Sequence, residues 1–594
     1  MLLACLTVVT LSSASIILFF PDSVATAVLF STAEFFGHSN QRVSQTINVE
    51  PIAGQLKYFI VLVIWSMYLI YFYKRQLQQY FHNLLLDFRC FCKEVTSFCW
   101  QLFHRHPASV YSFAIVLLLG FALRYLYLFE PIRHDEAYTY TQFAQRPLFL
   151  GLTQYYNPGN HLLHTLFVHF STLLMGNEPW TIRLPTFLSG LALIPAVFLT
   201  FTRLFSVHVG LLTAALVASS SPLIEYSVNA RGYSLQSLFF VLLIALATIV
   251  RNSENRAAWC AFSLTAVLGL ATVPTTIYVY AMTVGWILFS ALFDDSKLGL
   301  LKIVKLISGH TLVIMLATAM FYWPVAVVSE LHHELLSHLG GFGSTSIQLS
   351  RSVTYLQDLT LYLTRDLPTP MTFIFGMMAA LSLFMKSTNR LHKHNFFLIA
   401  MLIFLCLYLL HPVYYYFRIW LFLTPLFLGA TAYGIVAIGS HLALSAGLHR
   451  MLFLWIIPLG CFFLCSTFVF TSNGVRHATD TGTFLGGEIA TRYITELADT
   501  SDVVTTGIYS SANLRYYLDK LNSTTKLTWS ANEMASSHRI VIVVNTLYRE
   551  NAVDLIEDTL FTTGLFSRPV LDAVFDHTEI YIMERQGDPI NGNS

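Results

Sequence analysis

Charge is what this chain lacks. Only 11% of its 594 residues are Asp, Glu, Lys or Arg, against about 25% in soluble domains. So few charges cannot cover a surface that meets water on all sides, which excludes a soluble globule and a disordered chain alike. A basic excess is missing too: 34 Lys and Arg stand against 33 Asp and Glu. Nothing is left over to neutralise a phosphate backbone, so nucleic acid is excluded as a partner. Cysteine is sparse. Its eight copies all precede position 470, mostly in or beside apolar runs, and the polar tail has none. No disulfide framework is expected. Cys90 and Cys92 form C-x-C with Cys99 close by, but no second pair completes a zinc site. Packing beside the membrane is the plainer reading.

Apolar residues take the place of charge, at 55% of the chain, with aromatics at 15%. Thirteen apolar runs recur, at 1–20, 58–73, 108–128, 182–202, 207–224, 233–250, 257–273, 276–293, 306–328, 371–385, 396–417, 419–439 and 451–470. Each approaches the ~20 residues that cross ~30 Å of hydrocarbon. The first lacks the basic start of a secretory signal and reads as a span or an uncleaved anchor. Lys74, Arg75, Arg89, Lys93, Arg203, Arg251, Lys302, Lys386 and Arg450 all follow even-numbered runs. The excess of positive charge marks that side as cytoplasmic. The segments 129–181, 329–370 and 471–594 then face outward.

The fold expected is an α-helical polytopic membrane protein of about thirteen spans with a small external α/β domain. Residues 1–107 hold two extra spans and a cytoplasmic loop, residues 108–470 the main bundle, and residues 471–594 the external domain. The tail carries helix-like stretches near 484–499 and 549–562. Short β-rich runs appear at 502–506, 539–545, 570–575 and 579–583.

Chemistry-bearing residues gather in the first external segment and its flanks. Asp135 and Glu136 follow a span directly, where a carboxylate is placed to take a proton from an incoming hydroxyl. Acids favoured at a helix start are the bland alternative. Arg124 lies inside an apolar run, a costly position that marks function by default; snorkelling or pairing with Glu130 is its alternative. Asn157-Pro-Gly-Asn-His161 and His164 come next, then Arg183-Leu-Pro-Thr186. Ser221-Pro222 and Tyr226-Ser227 lead to Asn229-Ala-Arg231-Gly-Tyr233. Arg418 follows the aromatic run Tyr414-Tyr-Tyr-Phe417 at an external membrane edge, either to meet an anion or as part of an aromatic belt. His332-His-Glu-Leu-Leu-Ser-His338 resembles a zinc-protease helix, but His333 and His338 point about 140° apart on a helix. Gly340-Gly-Phe-Gly343 has no strand before it and no Lys-Ser/Thr after it, so it is no phosphate loop.

Taken in order, this series resembles the GT-C superfamily of membrane glycosyltransferases, in the branch of protein O-mannosyltransferases and the lipid A aminoarabinose transferase. The resemblance is close over residues 108–250 and continues to about 470 as span pattern only. Two departures bear on substrate contacts: Asn229 stands where an acid often precedes the Ala-Arg pair, and Asn-Pro-Gly-Asn-His replaces the common His-Pro-Pro. The resemblance implies inverting transfer of a sugar from a polyprenyl-phosphate carrier to an acceptor hydroxyl on the non-cytoplasmic face of a bacterial inner membrane. The acceptor is a lipid, a glycan or a protein, and membrane lipids are the other partners. Asp135 and Glu136 are then the catalytic residues, Asp135 as the carboxylate base and Glu136 as the neighbour that orients acceptor or base. Arg124, Arg231 and Arg418 are the donor-phosphate candidates, and Tyr138, His161, Tyr233 and His333 the substrate-binding ones. No cofactor is implied, and a divalent metal stays open. A transporter or flippase is the alternative, but it would place paired ionisable groups at the bilayer midplane, and these runs are nearly charge-free at their centres.

Overall fold

The computed structural model describes residues 71, 74–153, 155, 159–293, 298–328, 349–385, 396–410, 416–441, 445–556 and 564–586. Among the described residues, seven helices, from Pro107–Leu128 to Gly447–Ser472, are long and apolar enough to cross a membrane. Val207–Ala218 and Ser221–Ser227 form an eighth if their 64° bend falls within one span. Shorter apolar helices run over Arg256–Thr272, Thr369–Phe384 and Phe396–Leu409. The eleven runs expected from 108 onward thus all coincide with helices. The runs at 1–20 and 58–73 lie outside the described residues, apart from position 71. The protein is an integral, multi-pass membrane protein.

Pro179–Leu204 is the central helix, packed against Pro107–Leu128, Val207–Ala218 and Tyr233–Val250. Phe198, Phe201, Leu211 and Phe240 meet in the apolar core. Lipid is as apolar as leucine, so close backbone approach rather than water exclusion drives such packing. Gly190 illustrates it: a Cβ there would strike the Ser227 side chain. Pro222 opens the second half of the bent pair, where proline costs the helix nothing. The bend carries Glu225 and Tyr226 to the polar end of the bundle.

A 32-residue helix, Lys74–Arg105, precedes the bundle. It is held at Asp87 by the Asn255 amide and the Arg256 N–H and at Glu94 by Arg203, 2.5 Å away.

The tail folds into a five-stranded mixed sheet: β1 (Val503–Thr506), β2 (Lys526–Leu527), β3 (Arg539–Asn545), β4 (Val570–Phe575) and β5 (Thr578–Glu584). The spatial order is β2-β1-β3-β5-β4. β1 is parallel to β2 and β3, and β5 runs antiparallel to β3 and β4, with Ile542 opposite Tyr581. β3 is buried almost end to end, as its continuous run of Ile and Val requires. The four β-rich runs of the sequence are four of these strands. The stretch expected to be helical near 484–499 is the helix Gly487–Leu497. The one near 549–562 is turns over its described part, because the Asn551 side chain accepts from the Val553 N–H at 3.2 Å and folds the chain back.

This domain rests on the segment that follows the Pro107–Leu128 helix. Ala512, Tyr516 and Tyr517, on the helix Ile508–Lys520, form one buried cluster with Ile132, Ala137 and Tyr140.

Candidate active site

The site begins with Arg183, near the start of the central helix. All five of its N–H donors are engaged, three by the segment ahead of Asp135 and two by Glu136 just after it. Nη1 donates to the carbonyls of Leu128 (2.9 Å) and Glu130 (2.6 Å), and Nη2 to that of Pro131 (2.8 Å). Nε and Nη2 grip the Glu136 carboxylate at 2.8 and 2.6 Å. Glu136 also accepts from the backbone N–H of Arg133 (2.9 Å) and of Ala230 (2.7 Å). Both residues are fully buried. A carboxylate this fully engaged is spent on structure. The expectation that Glu136 is catalytic is therefore corrected: it fixes the turn that presents its neighbour.

That neighbour, Asp135, sits in the first turn of the short helix His134–Thr139. Arg418 Nη1 stands 2.9 Å from Asp135 Oδ2, too oblique for a hydrogen bond, so this buried oxygen has a charge partner but no hydrogen-bond donor. The same nitrogen donates to the Asp480 carbonyl at 2.7 Å, and the guanidinium lies 4.2 Å from the centre of the Tyr416 ring. Burial alone would weaken the Arg418 cation. Asp135, with Tyr233, Tyr226 and Asp480, outweighs it and holds the pKa above the ordinary arginine value.

Arg231 Nη1 donates to Thr139 Oγ1 at 2.9 Å and to the Gly159 carbonyl at 3.1 Å. His161 Nδ1 meets the Thr272 carbonyl at 3.3 Å, and its ring stands edge-on to Tyr233 at 4.8 Å. Tyr138 is half-buried, its ring parallel to that of His134 at 6.4 Å. Asp135, Arg231, Arg418, His161 and Tyr233 thus come together at one end of the bundle.

Arg124 does not join them. It is fully buried and donates to Ser227 Oγ (3.1 Å) and to the carbonyls of Gly120, Ala218 and Val217 (3.1, 2.9 and 3.3 Å). The Val217 and Ala218 carbonyls are freed where the Val207–Ala218 helix breaks, and Arg124 caps them. The phosphate-binding expectation for Arg124 is corrected on that ground. His333 lies outside the described residues, as do Asn157, Pro158 and the Gly340–Gly343 stretch.

Several further residues support the site. Glu225 is fully buried between Arg133, 3.0 Å away, and Arg365. Arg133 Nη2 reaches the Val475 carbonyl at 2.6 Å. Asn513 Nδ2 donates to the Ile132 carbonyl at 2.7 Å, and the Ile132 N–H donates to Tyr517 Oη at 3.1 Å. The His134 N–H donates to the Gly482 carbonyl at 2.8 Å. The C-terminal domain therefore pins the backbone directly ahead of Asp135. A cavity of about 720 Å³ opens beside Arg418, lined in part by Tyr362, Arg365, Tyr416, Phe417, His477 and Asp480.

Buried polar atoms without a partner concentrate here. They include His134 Nδ1, His161 Nε2, both nitrogens of His164, both amide atoms of Asn229, and the Nε of Arg231 and Arg418. Each costs about 1–3 kcal/mol, and such groups cluster where a ligand or ordered water completes them. Among the described residues no group of three or more His, Cys, Asp or Glu is placed to hold a metal ion.

Residues 159–323 match the family model described as dolichyl-phosphate-mannose-protein mannosyltransferase. The chain is similar in structure to ArnT from Cupriavidus metallidurans bound to undecaprenyl phosphate, at 12% identity and a TM-score of 0.52, over 80% of this chain and 97% of that one. This is the GT-C membrane fold. A weaker likeness, at 10% identity and a TM-score of 0.48, links 79% of the chain to 72% of the Archaeoglobus fulgidus oligosaccharyltransferase, solved in complex with zinc and sulfate. No curated protein matches the sequence. The GT-C resemblance read from the ordered motifs holds, and the matched stretch contains the His161, Arg183 and Asn229–Tyr233 elements of that series.

Proposed function

We propose that the chain is an inverting glycosyltransferase that moves a sugar from a polyprenyl-phosphate carrier to an acceptor hydroxyl at the external face of the membrane. The observation that carries this reading is the Asp135–Arg418 pair: a carboxylate and a guanidinium 2.9 Å apart, next to a cavity large enough for a sugar and its phosphate. The mannosyltransferase family match supports the donor class. A polyprenyl phosphate bound in the ArnT structure of like fold supports the carrier.

In the mechanism proposed, the donor phosphate competes with Asp135 for Arg418, which presents a planar fork suited to phosphate oxygens. Asp135, released from its cation, is free to meet the acceptor. It takes the acceptor hydroxyl proton as the acceptor oxygen bonds to the anomeric carbon. The bond from that carbon to the phosphate oxygen breaks, and the electron pair leaves on polyprenyl phosphate. Displacement from the opposite face inverts the anomeric configuration. Arg418 stabilises the charge gathering on the leaving phosphate. Arg231, held by Thr139 and Gly159, is the second cation near the sugar. The external domain holds Asp135 in line through Ile132 and His134.

The direct test uses the purified full-length protein in nanodiscs with a defined polyprenyl-phosphate sugar and membrane-extract acceptors. Release of sugar-free polyprenyl phosphate that depends on Asp135 is the expected result. A protein that binds such lipids and flips them without cleaving the sugar-phosphate bond would contradict the reading.

A further inference from the structure

The mechanism above leaves His164 and Asn229 without a task. Both are fully buried, both carry polar atoms with no partner, and His161 Nε2 and Arg231 Nε are in the same condition. The four residues are neighbours. The Arg231 N–H bonds the Asn229 carbonyl at 2.6 Å. Gly232 lies against the His161 ring, where a Cβ would stand 3.1 Å from it. The Arg231 charge acts on both histidines. The chain buries these atoms together with no protein partner, which is tolerable where a polar ligand completes them.

The chemistry on offer is selective. Burial, then the Arg231 cation, presses His161 well below its ordinary pKa, so the ring is neutral. A neutral imidazole has one donor and one acceptor, and an amide has two donors and an acceptor oxygen. That mixture suits hydroxyls, which both give and accept. The one formal charge within the group is the positive Arg231. Glu136 is spent on Arg183, and Asp135 faces Arg418. Among the described residues no unengaged carboxylate stands there to receive an ammonium group.

We propose that His161, His164, Asn229 and Arg231 form the subsite of the transferred sugar, and that this subsite selects an uncharged, hydroxyl-rich sugar over an amino sugar. The inference rests on the transferase reading and deepens it.

The test is lipid binding to the full-length protein in nanodiscs, which needs no acceptor. Three probes are titrated: sugar-free polyprenyl phosphate, polyprenyl-phosphate hexose and a polyprenyl-phosphate amino-pentose. Wild type is expected to bind the hexose lipid at least tenfold more tightly than the amino-pentose lipid. Asn229→Asp is expected to shrink that ratio tenfold or more while leaving sugar-free polyprenyl phosphate affinity unchanged. Should that variant fail to fold, His164→Gln is expected to weaken both sugar lipids relative to the sugar-free one. Equal affinity for the two sugar lipids in wild type, or an unchanged ratio in Asn229→Asp, overturns the subsite. Failure of wild type to bind any polyprenyl phosphate overturns the transferase reading itself, a separate outcome.

Discussion

Arg418 Nη1 stands 2.9 Å from Asp135 Oδ2 and donates in the same stroke to the Asp480 carbonyl at 2.7 Å. One guanidinium therefore links the Asp135 helix, the aromatic turn before the last spans and the entry to the C-terminal domain. Replacing it with lysine keeps the charge but loses the fork. Arg418→Lys is expected to lower kcat by about 10²-fold, in line with loss of one preorganised donor to a developing anion. Transfer rates at saturating donor check this; a rate within twofold of wild type would remove Arg418 from the reaction.

Glu136 and Arg183 predict a different phenotype. Their pair is fully buried, and breaking it leaves an uncompensated charge, which costs about 3–5 kcal/mol. Glu136→Ala is expected to lower the thermal unfolding midpoint sharply, in detergent and with no substrate present. Asp135→Asn, at a partly exposed site, is expected to leave that midpoint within a few degrees. Equal loss of stability in both variants would contradict the division into positioning and reacting carboxylates.

Tyr517 and Asn513 hold the two backbone groups of Ile132, three residues ahead of Asp135. Loss of that grip displaces the base rather than the donor, and a displacement of ~1 Å costs about 10² in rate. Tyr517→Phe and Asn513→Ala are expected to lower kcat roughly ten- to a hundredfold, with donor KM unchanged. A change confined to KM would place the external domain in donor binding instead.

Acid should destabilise the protein through its buried imidazoles. Burial lowers the pKa of His134, and burial followed by Arg231 lowers that of His161, each below the 6.5 of an ordinary histidine. Above that pH both rings are neutral, folded or unfolded. Below it the unfolded chain takes up protons that the folded protein refuses, so stability falls as pH drops through 6.5 toward the depressed values. Unfolding midpoints taken across that interval are expected to decline for wild type and to decline less for the double variant His134→Asn, His161→Asn. Parallel profiles would contradict the assignment.

The membrane bundle was legible because lipid imposes length and composition on every span, as the coincidence of helix Tyr233–Val250 with its apolar run shows. Asp135 was legible because a carboxylate directly after a span is conspicuous in a chain so poor in charge. Glu136 looked equivalent beside it, since adjacency in sequence hides that the two side chains leave the helix in different directions. Arg124 looked functional because intramembrane arginines usually are; its partners are backbone carbonyls exposed by a helix break that hydropathy does not register. Asn513 and Tyr517 were invisible, because their role arises only when a helix of ordinary composition docks on a loop far away in the chain.

The most direct measurement is mass spectrometry of lipid extracts from cells carrying wild-type protein, the Asp135→Asn variant or a deletion. Accumulation of the same polyprenyl-phosphate sugar in both defective strains, with the glycosylated product missing from both, is the expected result. Carrier lipids unchanged in the deletion strain would contradict the transferase reading. A change in the deletion strain but not in Asp135→Asn would contradict Asp135 as the base.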